Sequence, residues 1–98
     1  MKVVIQTLDF VLEKDLEAFI TQELGLLLKH SMPLIRAEVI LGEDGAEGQR
    51  HRFCNIRLIT TGTGYIVAQH ADTWENAVLA ATEELHKKLK KDISNSLK

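Results

Sequence analysis

From Trp74 to Leu97 an apolar residue returns every three or four positions, through Trp74, Val78, Ala81, Leu85, Leu89, Ile93 and Leu97. That spacing predicts one long helix with a single apolar stripe. A helix of this kind cannot bury its stripe alone, so the rest of the chain must supply a surface beneath it. Leu12, Leu16, Phe19, Ile20, Leu24 and Leu27 form a second stripe at helical spacing, and four other segments alternate with period two. Each predicted helix is apolar on one side only. Both are therefore expected on the same face of a sheet, with the other face open.

The first strand is expected at Lys2 to Thr7, where β-branched Val3 and Ile5 alternate with polar neighbours. Helix one runs from Glu13 to about His30 and is stopped by Met32-Pro33, since proline disfavours the α conformation of the residue before it. In strand two Ile35, Ala37, Val39 and Leu41 alternate with Arg36, Glu38 and Ile40, and the polar segment from Glu43 to Gly48 then forms a hairpin loop. Strand three spans about Arg50 to Thr60, with Cys54, Ile56 and Leu58 on one side and Phe53, Asn55, Arg57 and Ile59 on the other. Thr61-Gly62-Thr63-Gly64 turns into strand four, Tyr65 to Ala71.

Asp72 is the expected cap of helix two, with Glu75 reaching back to it. This helix has about 26 residues, or roughly 39 Å, against about 20 to 26 Å for the strands, so its last turns should project past the sheet. The order βαβββα makes an α+β fold with a four-stranded mixed sheet. The first two strands join through a parallel crossover and the others through antiparallel hairpins. The layout is that of a double-stranded-RNA-binding domain, in one domain over residues 1–98. The open face would carry Gln6, Arg36, Glu38, Phe53, Asn55, Arg57, Tyr65 and Gln69.

Ninety-eight residues, 45% apolar and 27% charged, have the composition of a chain with one buried core. No apolar run reaches signal-peptide length or the ~20 residues of a membrane span. The single cysteine, Cys54, suits a reducing compartment, and the cytoplasm is the expected location. The net charge of -2 hides an uneven distribution. Residues 1–28 hold two lysines against five acidic residues, whereas Lys87, Lys88, Lys90, Lys91 and Lys98 face only Asp92.

Nothing is spaced for catalysis. Cys54 alternates inward with Ile56 and Leu58, and His30, His51, His70 and His86 are scattered without a ligand pair, so neither a metal nor another cofactor is expected. Asp72 beside His70 is better explained as a helix cap, and Gly62-Thr63-Gly64 lacks the helix start of a phosphate loop. The lysine cluster carries the functional weight. Glu83 and Glu84 stand four residues before Lys87 and Lys88, in the favourable order, while Lys90 and Lys91 have no such partner. Charge alone leaves two readings open, a solvated helix end and a phosphate-binding patch.

Several segments then fall into one pattern: Val3-Val4-Ile5-Gln6, Leu16-Glu17-Ala18-Phe19-Ile20, Ala37-Glu38-Val39-Ile40-Leu41 and Asn55-Ile56-Arg57-Leu58. Most telling is Ala71-Asp72-Thr73-Trp74-Glu75-Asn76-Ala77-Val78, leading to Leu85, Leu89 and Lys90-Lys91. With these the chain resembles the ribosome hibernation promoting factor and ribosome-associated inhibitor family, the sigma-54 modulation proteins, in its short form. The resemblance implies a non-enzymatic factor that binds the small ribosomal subunit, at the rRNA of the mRNA and tRNA channel, and represses translation under stress or starvation. By position, Lys87, Lys90 and Lys91 match the family's basic end of helix two, Arg57 its basic position in strand three, and Lys29 the basic end of helix one. Arg36, on the same open face as Arg57, completes the RNA-binding candidates.

Helix one departs from the family, with Gln22, Glu23, Leu26 and Leu28 where members usually carry lysines. Leu26 and Leu28 widen the apolar stripe. The alternative reading is accordingly a homodimeric interaction or adaptor module with the same fold, joined through Leu26 and Leu28 or through Phe53 and Tyr65 on the open sheet face. An enzyme is the third reading. It would need a pocket joining Cys54 or a histidine to a carboxylate.

Overall fold

The computed structural model describes residues 2–29, 34–45, 51–62 and 64–96, with side chains at 28–29 and 92–96 outside the description. The strands are β1 (Lys2–Thr7), β2 (Leu34–Asp44), β3 (His51–Thr60) and β4 (Gly64–Ala71). The helices are α1 (Lys14–Gly25), extended by a 3-10 turn at Leu26–Lys29, and α2 (Trp74–Ser96). The four strands lie in chain order, β1 parallel to β2 and the other pairs antiparallel, as the connections require. The Met32-Pro33 stop, loop residues 46–50 and Thr63 lie outside the described residues, as do the side chains of Leu28, Ile93 and Leu97.

Both stripes close on one face of the sheet. Leu16, Ile20, Leu24 and Leu27 meet Val78, Ala81, Leu85 and Leu89 over a floor of Ala37, Val39, Leu41, Cys54, Ile56, Leu58 and Val67, all buried. Six leucines among these, Leu24, Leu27, Leu41, Leu58, Leu85 and Leu89, have no exposed surface. Fully burying each of them is worth about 1.5 to 3 kcal/mol, so the two-layer arrangement follows from the two stripes.

Strand four takes the opposite phase from that expected. Register pairs Tyr65 with Leu58, Val67 with Ile56 and Gln69 with Cys54, which turns Tyr65 and Gln69 inward and leaves Ile66, Ala68 and His70 on the open face. Tyr65 is buried at 7% exposure, so it offers no association surface. Gln69 is tolerated beneath α2 because its amide donates to Glu84 Oε2 at 2.8 Å. The other open-face residues, Gln6, Arg36, Glu38, Phe53, Asn55 and Arg57, stand as expected.

Smaller corrections have local causes. A register shift between Leu34 and Arg36 turns Ile35 out to 51% exposure, whereas the alternation placed it inside. Strand β2 continues to Asp44, which pairs with His51, so the expected loop begins later, at Gly45 with φ 104°. Helix α1 does not reach His30 as an α-helix. It tightens after Gly25, a weak helix former, into the 3-10 turn that still buries Leu27. Helix α2 is capped by Thr73, whose hydroxyl accepts the Asn76 N–H at 3.1 Å. Asp72 instead accepts from the Asn76 side-chain amide at 2.9 Å.

Candidate nucleic-acid interface

Helix α2 lies antiparallel to β4: Glu84 meets Gln69, and one turn later the Lys88 ammonium donates to the Ile66 carbonyl at 3.2 Å. Only Gly64 and Tyr65 remain of β4 beyond that level, while α2 continues for eight residues, about 12 Å. Only the last turn of α2 therefore runs past the end of β4; Lys87, Lys90 and Lys91, expected on the projecting turns, lie level with Ile66 to Gly64. At 3.6 residues per turn Lys87, Lys90 and Lys91 share a solvent-facing arc about 100° wide, and all three are exposed. Lys87 lies 3.5 Å from Glu83, both well solvated. Lys90 and Lys91 have no carboxylate partner among the described residues.

The arginines form a separate group on the open face. Arg36 Nη2 lies 3.1 Å and Arg57 Nη1 3.9 Å from the two oxygens of Glu38, so one carboxylate is shared between two guanidiniums. Arg57 remains the freer, at 64% side-chain exposure. Lys29 is in the 3-10 turn, and its side chain is outside the described residues. The structure thus brings Lys87, Lys90 and Lys91 together and Arg36 with Arg57, on opposite layers of the sheet.

What links the two groups is Lys88, which sequence reasoning discounted because Glu84 stands four residues before it. That ion pair exists, at 3.8 Å. The same ammonium also reaches the edge of β4 at Ile66, the residue paired with Arg57. The ammonium thereby ties α2 to the sheet edge beside Arg57, with its charge taken up by Glu84 and the Ile66 carbonyl. No sequence signal for this existed, because it depends on which strand α2 lies over.

Burial pushes the Cys54 thiol up to about 12, so it is protonated and shielded at neutral pH. His70, considered beside Asp72, lies 2.9 Å from Asp44 instead. Among the described residues no group of three or more His, Cys, Asp or Glu could hold a metal ion, and no helix is long and apolar enough to cross a membrane.

A family model described as sigma 54 modulation protein / S30EA ribosomal protein matches residues 3–94. The chain belongs to this family. Sigma-54 modulation / S30EA proteins are ribosome-associated, and the fold agrees with solved relatives. The Thermus thermophilus Protein Y N-terminal domain superposes with a TM-score of 0.81 at 16% identity, over 93% of this chain and 98% of that one. A ribosomal subunit interface protein from Coxiella burnetii gives 0.80 at 10% identity, over 96% and 99%. No curated protein sequence matches the chain. At these identities the structural likeness speaks for the S30EA fold, and the family assignment rests on the sequence match.

Proposed function

We propose that this chain binds the small ribosomal subunit through rRNA phosphates and represses translation under stress or starvation, without catalysing a reaction. The observation that carries the reading is the sigma-54 modulation / S30EA match over residues 3–94. The α2 lysines support it, because Lys87, Lys90 and Lys91 share one exposed arc that a groove of phosphates can receive. Arg57, and Arg36 beside it, offer planar donors on the open face, while Lys88 fixes α2 against the strand paired with Arg57. The partner is rRNA rather than a metal or small cofactor, and the cytoplasm is where the two would meet.

The test is sedimentation of purified protein with small and large subunits on sucrose gradients, paired with a cell-free translation assay. Comigration with the small subunit and a dose-dependent fall in translation are expected. Comigration with the large subunit alone, or no comigration at low salt, would remove the proposal.

A further inference from the structure

At the far end of α2 from the lysines, an open cleft of about 570 Å³ lies where both helices begin. Its apolar wall includes Val11, Phe19 and Trp74, and its rim carries the carboxylates of Glu13, Asp15 and Glu75. Trp74 is fixed there: Phe10 stacks on it at 4.2 Å, Arg52 lies 4.4 Å from its ring centre, and its indole N–H donates to the Gly42 carbonyl at 3.2 Å. Val11 is 87% exposed, an unusual position for a β-branched aliphatic beside two aromatic rings. Acidic residues in the first turns complement the helix dipoles, which accounts for the carboxylates but not for the open apolar wall they surround.

The balance of charge identifies the occupant. Arg52, the one cation lining the cleft among the described residues, is held by Glu43 at 3.4 Å and by the Asp72 carbonyl at 3.1 Å. Glu13, Asp15 and Glu75 have no ion-pair partner among the described residues. A nucleic acid would meet three carboxylates with no ion-pair partner among the described residues and be repelled. We infer that this cleft docks a lysine- or arginine-bearing polypeptide segment that inserts an apolar side chain against Val11 and Phe19, beside the edge of Trp74. The flanking cations then sit over Glu13, Asp15 and Glu75. The volume lies within the range of about 300 to 1,000 Å³ common to ligand clefts and suits one or two side chains. The molecule would thus have two ends of opposite preference, one for phosphate and one for a basic protein segment.

Trp74 is the chain's single tryptophan, so its emission reports the cleft directly. The experiment titrates full-length protein with the unlabelled peptide Lys-Lys-Leu-Arg-Lys-Leu, alongside versions in which glycine replaces leucine or glutamate replaces the basic residues. The first peptide is expected to shift Trp74 emission saturably and to weaken as salt shortens the screening length from about 10 to 3 Å between 0.1 and 1 M. In the double variant E13Q/D15N its affinity should fall by about fivefold, with the melting curve as folding control. Val11→Ser, exposed and outside the core, should weaken it independently. Equal binding of the glycine peptide would reduce the effect to surface charge and overturn the proposal. Equal binding of the glutamate peptide or of a short RNA would overturn it as well. So would a concentration-dependent emission change without peptide, which would assign the cleft to a second copy.

Discussion

The lysines of α2 differ in how free they are, and that difference yields a graded expectation for RNA binding. Each phosphate neutralised by a lysine contributes ~0.7 to 0.9 to the slope of log affinity against log salt. Lys90 and Lys91 have no carboxylate partner among the described residues, so K90Q/K91Q should flatten the slope by about 1.5 units. Adding K87Q should bring the change to about two units, since an exposed pair with Glu83 is too weak to withhold Lys87 from phosphate. A two-unit change means that the loss of affinity between about 50 and 200 mM salt shrinks roughly 16-fold. Lys88 should behave differently. Its ammonium is engaged by Ile66 and Glu84, so K88Q should leave much of the slope intact while lowering the melting temperature by about 4 °C. The assay is binding to purified small subunits over a salt series, with thermal melts in parallel. If wild type and the triple variant bind with the same slope, the helix end is a solvated face and the reasoning fails.

Three further expectations concern the fold beneath the interface. Thr73→Ala should cost about 1 kcal/mol in denaturant melts and Asp72→Ala clearly less; the reverse order would restore Asp72 as the cap. Gly42→Ala should destabilise by about 1 kcal/mol, because a Cβ there would stand 2.6 Å from Phe53 Cζ; the cost stays modest only if the ring swings away over the open face, and Phe53→Ala combined with it should restore most of the loss. For Cys54 the sign follows from a folded pKa near 12 against an ordinary 9.0. Below pH 9 the thiol is neutral in both states and contributes no pH dependence, whereas between 9 and 12 only the unfolded chain ionises, so stability falls by up to about 1.4 kcal/mol per pH unit. Cys54→Ala should be less stable at pH 8 yet lose less between pH 9 and 10.5, and equal slopes in urea melts would contradict the burial argument.

The parts of the molecule legible in the sequence were those governed by one-sided burial. The α1 and α2 stripes, and the inner sets Ala37, Val39, Leu41 and Cys54, Ile56, Leu58, are apolar on one phase and mixed on the other, so pattern alone fixes their facing. Strand four gave no such signal. Tyr65, Ile66, Val67 and Ala68 are apolar on both phases, and the polar Gln69 lies inward because Glu84 on α2 meets its amide, a partner fifteen residues away. The site divides in the same way. Lys87, Lys90 and Lys91 could be grouped from helical spacing, but the role of Lys88 depends on the docking of α2 along β4, and the sharing of Glu38 by Arg36 and Arg57 on register.

The position of α2 in the chain has a consequence for how the protein comes into being. The strands pair in chain order, and the β2–β3 and β3–β4 ladders need only local hairpins, so they can form early during synthesis. The half of their inner face that α1 does not cover stays wet until α2 arrives, because Val78, Ala81, Leu85 and Leu89 are the last residues of the buried cluster to be made. Before α2 packs, the chain is therefore a half-covered sheet, apolar and open to chaperones. Closure of the core and presentation of the α2 lysines then happen together, so the basic end is in place only once the chain is folded.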